Sequence, residues 1–318
     1  MKPAAILLII LVLATGCVHR TTQQTATSPD AALRAIFQQQ TQGAFNPLTD
    51  DRRVEALQLR LKLNPQDVGA RLELAGVYEN YRLYDDGLEQ YRETLRLARS
   101  VPGDNASIAQ KAVLGLRRCA QASGRTREAI PLLEEFLKES PSAGAWNELG
   151  LLHDALGDPA SGEIALREAV ALDSTSFQLH NNLGYNLVLQ NKAEAAEAEF
   201  RKALALNPKS ATSRNNLGVL LARRGELQGA LEQFQSTADA ATAHNNLAVV
   251  LLESGQYEQS REELVKALAL RHYFAPALAN FKLVQERIRE RGAQKAGGVS
   301  PSKPSAEVVQ SKDREDRR

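Results

Sequence analysis

Apolar residues in the central part of the chain recur every three or four positions, and short polar turns interrupt them at regular intervals. This spacing predicts amphipathic helices joined by tight connections. Three segments are almost identical: His180–Gly184, Arg214–Gly218 and His244–Ala248. The first two start 34 residues apart and the third starts 30 residues later. A repeat of this length predicts stacked units of two helices each.

Each of these segments is followed by a second signature, in which a small residue precedes a large apolar one by four positions. The pairs are Ala196 and Phe200, Ala230 and Phe234, and Ser260 and Leu264. Together with Trp146-x-x-Leu149-Gly150, they match the two halves of the tetratricopeptide motif. From Val68 to Arg291 the chain therefore resembles tetratricopeptide-repeat (TPR) proteins. The resemblance implies an all-α fold, a TPR α-solenoid in which antiparallel helix pairs form a right-handed superhelix.

Small residues and turn residues fall where such a fold needs them. Gly150, Gly184, Gly218 and Ala248 are expected to let the first helix of a pair approach the second closely. A residue that tolerates a left-handed backbone is expected at the end of each first helix. The candidates are Gly124, Gly157, Asn191, Gly225 and Gly255.

The pattern divides the chain into six TPR units over residues 68–274, with less regular segments at both ends. The units are Val68–Val101, Gln110–Ser142, Ala143–Ser176, Phe177–Ser210, Ala211–Ala240 and Ala241–Phe274. Residues 30–67 are interpreted as a degenerate repeat, with Asp30–Gln40 as its first helix and Asp51–Leu63 as its second. We expect a capping helix over residues 275–291, because a solenoid must cover its last apolar face. Residues 292–318 lack periodicity and are expected to be disordered.

The N-terminus has the organisation of an export signal. Lys2 precedes an apolar run from Ala4 to Ala14 that is too short to span a bilayer, and Thr15-Gly16-Cys17 follows. Leu13 to Cys17 resembles the lipobox of bacterial lipoproteins, which implies a signal peptide over residues 1–16 and lipid attachment at Cys17. Residues 17–29 would form a lipidated tether. The alternative is an ordinary secretory signal followed by an unrelated cysteine.

The residue after the cysteine bears on the destination of the protein. In lipoproteins of double-membrane bacteria, Asp at this position commonly signals retention in the inner membrane, and here the residue is Val18. The resemblance therefore implies a lipid-anchored protein on the periplasmic face of the outer membrane. Acyl chains contribute about 0.8 kcal/mol per buried methylene, so a multiply acylated cysteine holds a protein at a membrane essentially permanently.

Charge and chemistry-bearing residues narrow the function further. The 39 basic and 38 acidic residues nearly cancel, which argues against a nucleic-acid partner. Cys119 is interpreted as a small buried hydrophobe, with a redox or cross-linking thiol as the alternative. His180 and His244 have no motif that would make them metal ligands. No catalytic residue, cofactor, metal site or small-molecule substrate is predicted.

The candidate partner-binding groove lies on the first helices, where the fifth, sixth and ninth positions of TPR units usually face it. Most of these positions hold asparagine, and the candidates are Asn147, Asn181, Asn182, Tyr185, Asn215, Asn216, Asn245, Asn246 and Asn280. Because an amide both donates and accepts, such a row could hold the backbone of an extended peptide. The alternative is that these amides only bond to neighbouring helices.

These features favour a protein that binds other envelope proteins or peptides. The combination of lipobox and Asn-Asn-Leu-Gly repeats resembles the TadD-type lipoproteins of Flp/tight-adherence pilus systems, which implies a scaffold in a pilus or secretion assembly. A periplasmic adaptor for peptidoglycan hydrolases, or a chaperone for unfolded exported chains, is the alternative. An enzyme whose site has no sequence signature is a third, less favoured reading.

Overall fold

The computed structural model describes residues 46–100 and 105–297. Every regular element in these residues is an α-helix. The helices fall into two compact units, the first ending at Gln190 and the second beginning at Asn191. The nine helices of the first unit are α1 Pro47–Asp50, α2 Arg52–Leu63, α3 Val68–Asn80, α4 Tyr84–Ser100, α5 Ala106–Ala122, α6 Thr126–Glu139, α7 Ala143–Ala155, α8 Pro159–Leu172 and α9 Phe177–Leu189. The six of the second are α10 Ala193–Leu206, α11 Ala211–Arg223, α12 Leu227–Gln235, α13 Ala240–Glu253, α14 Tyr257–Leu270 and α15 Ala275–Gly297.

Within each unit, consecutive helices pack as pairs. In the first unit α3 packs on α4 and α7 on α8, while in the second α11 packs on α12 and α13 on α14. The last helix, α15, packs on α14 and so covers the end of the stack. This is the TPR arrangement that the sequence pattern predicted.

Local sequence determines where the helices begin and end. Asp158 accepts a hydrogen bond from the Ser161 amide, and Pro159 follows at the first helical position of α8, as N-capping requires. The predicted left-handed residues are confirmed at all five positions, from Gly124 to Gly255, with φ between 59° and 84°. Arg82 adopts the same conformation at the end of α3, although a non-glycine residue there pays a steric cost.

Close approach of paired helices depends on glycine, as predicted. A Cβ added to Gly150 would lie 2.6 Å from Leu166 Cγ and 3.1 Å from the Gly162 carbonyl oxygen. A Cβ added to Gly218 would lie 2.8 Å from the Phe234 ring, and that ring is completely buried. The second helix of a pair therefore occupies the volume that a side chain on the first would need.

Cys119 lies within the apolar core of the first unit, together with Leu116, Leu133 and Leu152. Its side chain is completely buried, and burial raises the pKa of the thiol to about 12. The thiolate is therefore scarce at neutral pH, which supports the interpretation of Cys119 as a packing residue.

The structure corrects several boundaries. The second repeat begins at Ala106, four residues before the expected Gln110. Helix α12 has only nine residues against 14 in α14, which explains the 30-residue spacing to the last unit. The capping helix continues to Gly297, so residues 292–297, which were expected to be disordered, are helical. Ala293 and Gln294 are good helix formers, and the pair Gly297-Gly298 is the next strong stop signal.

Several predictions lie outside the described residues: the signal peptide over residues 1–16, Cys17, the tether, the helix Asp30–Gln40 and the tail beyond residue 297. Among the helices that the structure does describe, none combines the length and the apolar character needed to cross a membrane.

The glycine packing can be tested with two substitutions in the same repeat. We expect Gly218→Ala to lower the free energy of unfolding by about 1–3 kcal/mol, because the new methyl group would overlap the buried Phe234 ring. Gly229→Ala is the matched control, since its Cβ would make only an ordinary contact at 3.4 Å with Leu221. It should raise stability by about 0.5–1 kcal/mol through helix propensity. Urea denaturation of both variants measures the difference, and equal effects would contradict the packing argument.

Candidate protein-binding site

The predicted site residues lie on the first helices of the repeats, on one side of each helix. Positions two, five, six and nine of a unit differ by three, four and seven residues, so they share a helix face. We call this surface the amide face. The predicted residues on it are Asn147 on α7, Asn181, Asn182 and Tyr185 on α9, Asn215 and Asn216 on α11, Asn245 and Asn246 on α13, and Asn280 on α15.

Burial separates the two rows of asparagines. The fifth-position residues are buried, with exposed fractions of no more than 9% for Asn147, Asn181, Asn215 and Asn245. The sixth-position residues Asn182, Asn216 and Asn246 are only half-buried, and so is Tyr185 at the ninth position. Asn280, although at a sixth position, is almost completely buried. Among the predicted residues, solvent therefore reaches mainly those at the sixth and ninth positions.

In the first unit the amides link successive first helices. The Asn182 side chain donates to Asn147 Oδ1 at 2.8 Å, and Asn181 donates to Asn182 Oδ1 at 3.3 Å. Asn147 in turn donates to Glu148 Oε1 at 2.9 Å, and Glu148 pairs with Arg117 on α5. One chain of hydrogen bonds thus runs through α5, α7 and α9, with its single carboxylate neutralised by its single guanidinium.

The second unit repeats the same contact. Asn280 on α15 donates to Asn245 Oδ1 on α13 at 3.1 Å, across the same 35-residue separation as Asn182 and Asn147. Ala279 stands where α9 has Asn181, so the amide that would donate to Asn280 Oδ1 is missing. That oxygen is buried without a hydrogen-bond partner among the described residues. The amide row thus ends at the capping helix.

A second recurring contact joins the two helices of one repeat, and sequence reasoning did not find it. The residue at the fourth position contacts a Gln or Glu 19 residues later on the second helix. The pairs are Arg71 with Gln90 at 3.0 Å, Arg214 with Gln233 at 3.1 Å and His244 with Glu263 at 2.6 Å. The sequence pattern that could have revealed this contact is the 19-residue spacing between complementary polar residues. The contact places His244 in a structural role beside the amide face.

The charge on the amide face is unusually low. In the second unit, positions two, five, six and nine of α11, α13 and α15 carry no ionisable side chain. They are Thr212, Asn215, Asn216, Val219, Thr242, Asn245, Asn246, Val249, Pro276, Ala279, Asn280 and Leu283. On α7 and α9 of the first unit, Glu148 is the one charged residue at the corresponding positions. The described residues contain no group of three or more His, Cys, Asp or Glu placed to hold a metal ion.

One buried carboxyl group of the first unit lies on α7, the helix that also carries Asn147. Asp154 Oδ1 accepts a hydrogen bond from Asn186 at 2.6 Å, while its Oδ2 is buried without a partner among the described residues. Burial raises the pKa of Asp154 to about 6, helped by the negative charge of Asp158 and opposed by the Asn186 hydrogen bond. Asn186 also donates to the Pro159 carbonyl oxygen at 2.8 Å, so this group ties α9 to α7 and α8.

This arrangement predicts a pH-dependent stability. The folded chain keeps the Asp154 proton up to about pH 6, whereas the unfolded chain releases it near its ordinary pKa of 3.8. The free energy of unfolding should therefore fall as pH rises from about 4 to above 6, by roughly 2–3 kcal/mol at most. Asp154→Asn should remove this fall, while Glu168→Gln, an exposed carboxyl on α8, should leave it in place. Denaturation at pH 4.5 and 7.5 tests this, and an unchanged pH profile in Asp154→Asn would contradict it.

Comparison with protein families identifies the repeats. Two family models described as tetratricopeptide repeat match the chain, one over residues 119–177 and 181–244 and the other over residues 240–272. The matched segments contain α7, α9, α11 and α13, which carry most of the amide face. Comparison with curated protein sequences gives no match.

Solved structures with a similar fold include three informative examples. The APC/C hetero-tetramer Cut9-Hcn1 is 17% identical, with a TM-score of 0.51, and the match covers 74% of this chain and 46% of that one. YrrB, described as a TPR protein with an unusual peptide-binding site, is 20% identical, with coverages of 63% and 98% and a TM-score of 0.44. PilF of Pseudomonas aeruginosa is 21% identical, with coverages of 61% and 91% and a TM-score of 0.44. At these identities the likeness concerns the fold alone. The family matches show that the chain contains tetratricopeptide repeats, and its paired helices have the fold of a TPR protein.

Proposed function

We propose that this protein is a lipid-anchored scaffold on the periplasmic face of the outer membrane, where its amide face binds a partner protein of a cell-envelope assembly such as a pilus or secretion system. TPR folds generally serve as protein–protein interaction scaffolds rather than as enzymes, and the family matches support that broad class. The location and the kind of assembly rest on the N-terminal sequence and on the resemblance of the repeats.

The observation that carries the binding role is the absence of charge on the amide face of the second unit. Charged residues form 24% of the chain, so roughly two would be expected at the eight of these twelve positions that are not buried, and none is present. Solvated surfaces are rich in charge, whereas the buried centres of protein interfaces are depleted of it because a charge loses hydration on docking. The composition of the amide face is therefore that of a surface that becomes covered.

The exposed groups on this face suit a polypeptide partner. Asn246 is half-buried and makes no hydrogen bond to any residue that the structure describes, so its N–H groups and carbonyl oxygen remain available. An amide can bond to both the N–H and the C=O of a peptide backbone, which gives affinity with little dependence on side-chain sequence. Val249 lies one turn further along α13 and offers an apolar contact beside it.

The N-terminal sequence supports the anchor. Thr15-Gly16-Cys17 follows an apolar run of signal-peptide length. Val18 stands at the position where an aspartate would commonly signal retention in the inner membrane. Acyl chains on Cys17 would hold the protein at the membrane, and the residues between Cys17 and the first described helix would separate the repeats from the lipid surface.

The anchor predicts a simple biochemical result. In the native host, the wild-type chain should incorporate an alkynyl palmitate analogue and fractionate with outer membranes. Cys17→Ala should lose the label and leave the membrane fraction, while Cys119→Ala, which changes the other cysteine of the chain, should keep both properties. Membrane association and labelling that persist in Cys17→Ala would overturn the anchor.

The binding role is tested by photocrosslinking in the native host. A photoreactive amino acid at position 249, on the amide face, should give discrete adducts, whereas the same residue at position 265, an exposed valine on α14, should give none. Mass spectrometry of the adducts decides the assembly. Pilus or secretin subunits support the proposal, and hydrolases or many unrelated exported chains support an adaptor or chaperone instead. Equal crosslinking from both positions would contradict a role for the amide face.

A further inference from the structure

We infer that the amide face of the second unit binds an uncharged partner segment in the polyproline II conformation, with an apolar side chain at every third residue. The inference rests on the proposed binding role of this face and specifies the conformation and composition of what it binds. It is carried by a row of apolar side chains beside the amides, by the distance between neighbouring first helices and by the absence of charge.

The apolar row consists of one side chain from each first helix of the unit. Val219 on α11, Val249 on α13 and Leu283 on α15 occupy the ninth position of their repeats, and all three are half-buried. Each lies one helical turn beyond a sixth-position asparagine, so the amides and the apolar side chains form two parallel rows. Neighbouring first helices contact each other directly, α11 with α13 and α13 with α15.

The distance between successive side chains in each row is set by how closely the first helices pack. Packed helices lie about 8–10 Å apart, so a ligand crossing them meets one apolar contact at about that interval, with the half-buried Asn246 amide beside the middle one. A polyproline II chain rises about 3.1 Å per residue with three residues per turn, so the same side of the chain recurs about every 9 Å. Such a ligand stays in register with all three helices.

Other backbone conformations fit less well. A β-strand presents side chains on the same side about every 6.7 Å. This is shorter than the spacing between helices, so its second side chain would not reach the apolar residue of the second helix. An α-helix repeats about every 5.4 Å, and its backbone groups are already bonded within the helix, so the amides would gain nothing from it. In polyproline II the backbone makes no internal hydrogen bonds, and its free groups can pair with Asn246 and with the exposed Thr212 hydroxyl.

Charge restricts the side chains of the ligand. No ionisable residue stands at the twelve positions of this face, so a charged side chain brought onto it would lose hydration without gaining an opposite charge there. The complementary segment is therefore uncharged where it touches the rows. Proline and small polar residues meet this requirement and also reduce the entropy lost on binding, because they already favour the bound conformation.

The test uses the full chain and three fluorescein-labelled peptides in fluorescence anisotropy titrations. The first repeats Leu-Pro-Ser four times. The second has the same composition but alternates leucine and serine and places the prolines at one end, so that it favours an extended strand. The third replaces each serine of the first with glutamate. We expect the first peptide to bind at least tenfold more tightly than either of the others.

Two lysine substitutions link the binding to the face. Val249→Lys should weaken binding of the first peptide at least tenfold, whereas Val265→Lys, which introduces the same charge on α14, should leave it unchanged. Equal affinity for the first two peptides, with both lost in Val249→Lys, would overturn the polyproline II inference and leave the binding role of the face intact. No binding of the first peptide, or binding that Val249→Lys does not affect, would also overturn the inference, while the crosslinking experiment decides the proposed function separately.

Discussion

The structure depends on the close contact between the two helices of each repeat, which only small residues allow. At Gly150 and Gly218 the second helix supplies a leucine or a phenylalanine to the space where a side chain would otherwise stand. A pair of helices this small cannot bury its apolar surface alone, so each pair also needs a neighbour. Stability is then a sum of contacts within and between adjacent repeats, and the last of these is made by α15.

Asparagine provides the polar counterpart of this packing. Two buried fifth-position amides accept a hydrogen bond from the sixth position of the next repeat, Asn147 from Asn182 and Asn245 from Asn280. A buried amide without a partner would cost about 1–3 kcal/mol, so the bond favours one register of helix against helix. The asparagine row therefore has a structural role in its buried members and in the half-buried Asn182, while Asn246 is the half-buried amide to which we assign the proposed partner contact.

The sequence predicted those features that depend on neighbouring residues in the chain. The repeat period, the helix pairs and the left-handed residue at Gly157 all follow from local spacing and backbone sterics. It could not predict which of two adjacent asparagines is buried, because that depends on a helix 35 residues away. Nor could it predict that Tyr81, unlike the buried Tyr78 and Tyr91, is 39% exposed and donates to Asp51 Oδ2, a residue 30 positions earlier in the chain. The raised pKa of Asp154 likewise arises from burial that only the packed helices create.

One helix face thus carries both residues that stabilise the stack and residues to which we assign the proposed contact with a partner. Residues at the fourth and fifth positions bond to neighbouring helices, so changing them disturbs the stack itself. The sixth-position residues Asn182 and Asn280 also bond to a neighbouring first helix, whereas Asn246 and Val249 add less to packing because they are only half-buried. If the amide face binds as proposed, partner choice can vary at Asn246 and Val249 while the scaffold stays folded. Because the stability of a repeat array is nearly a sum over repeats and their nearest neighbours, such a change on one helix disturbs the rest of the stack little.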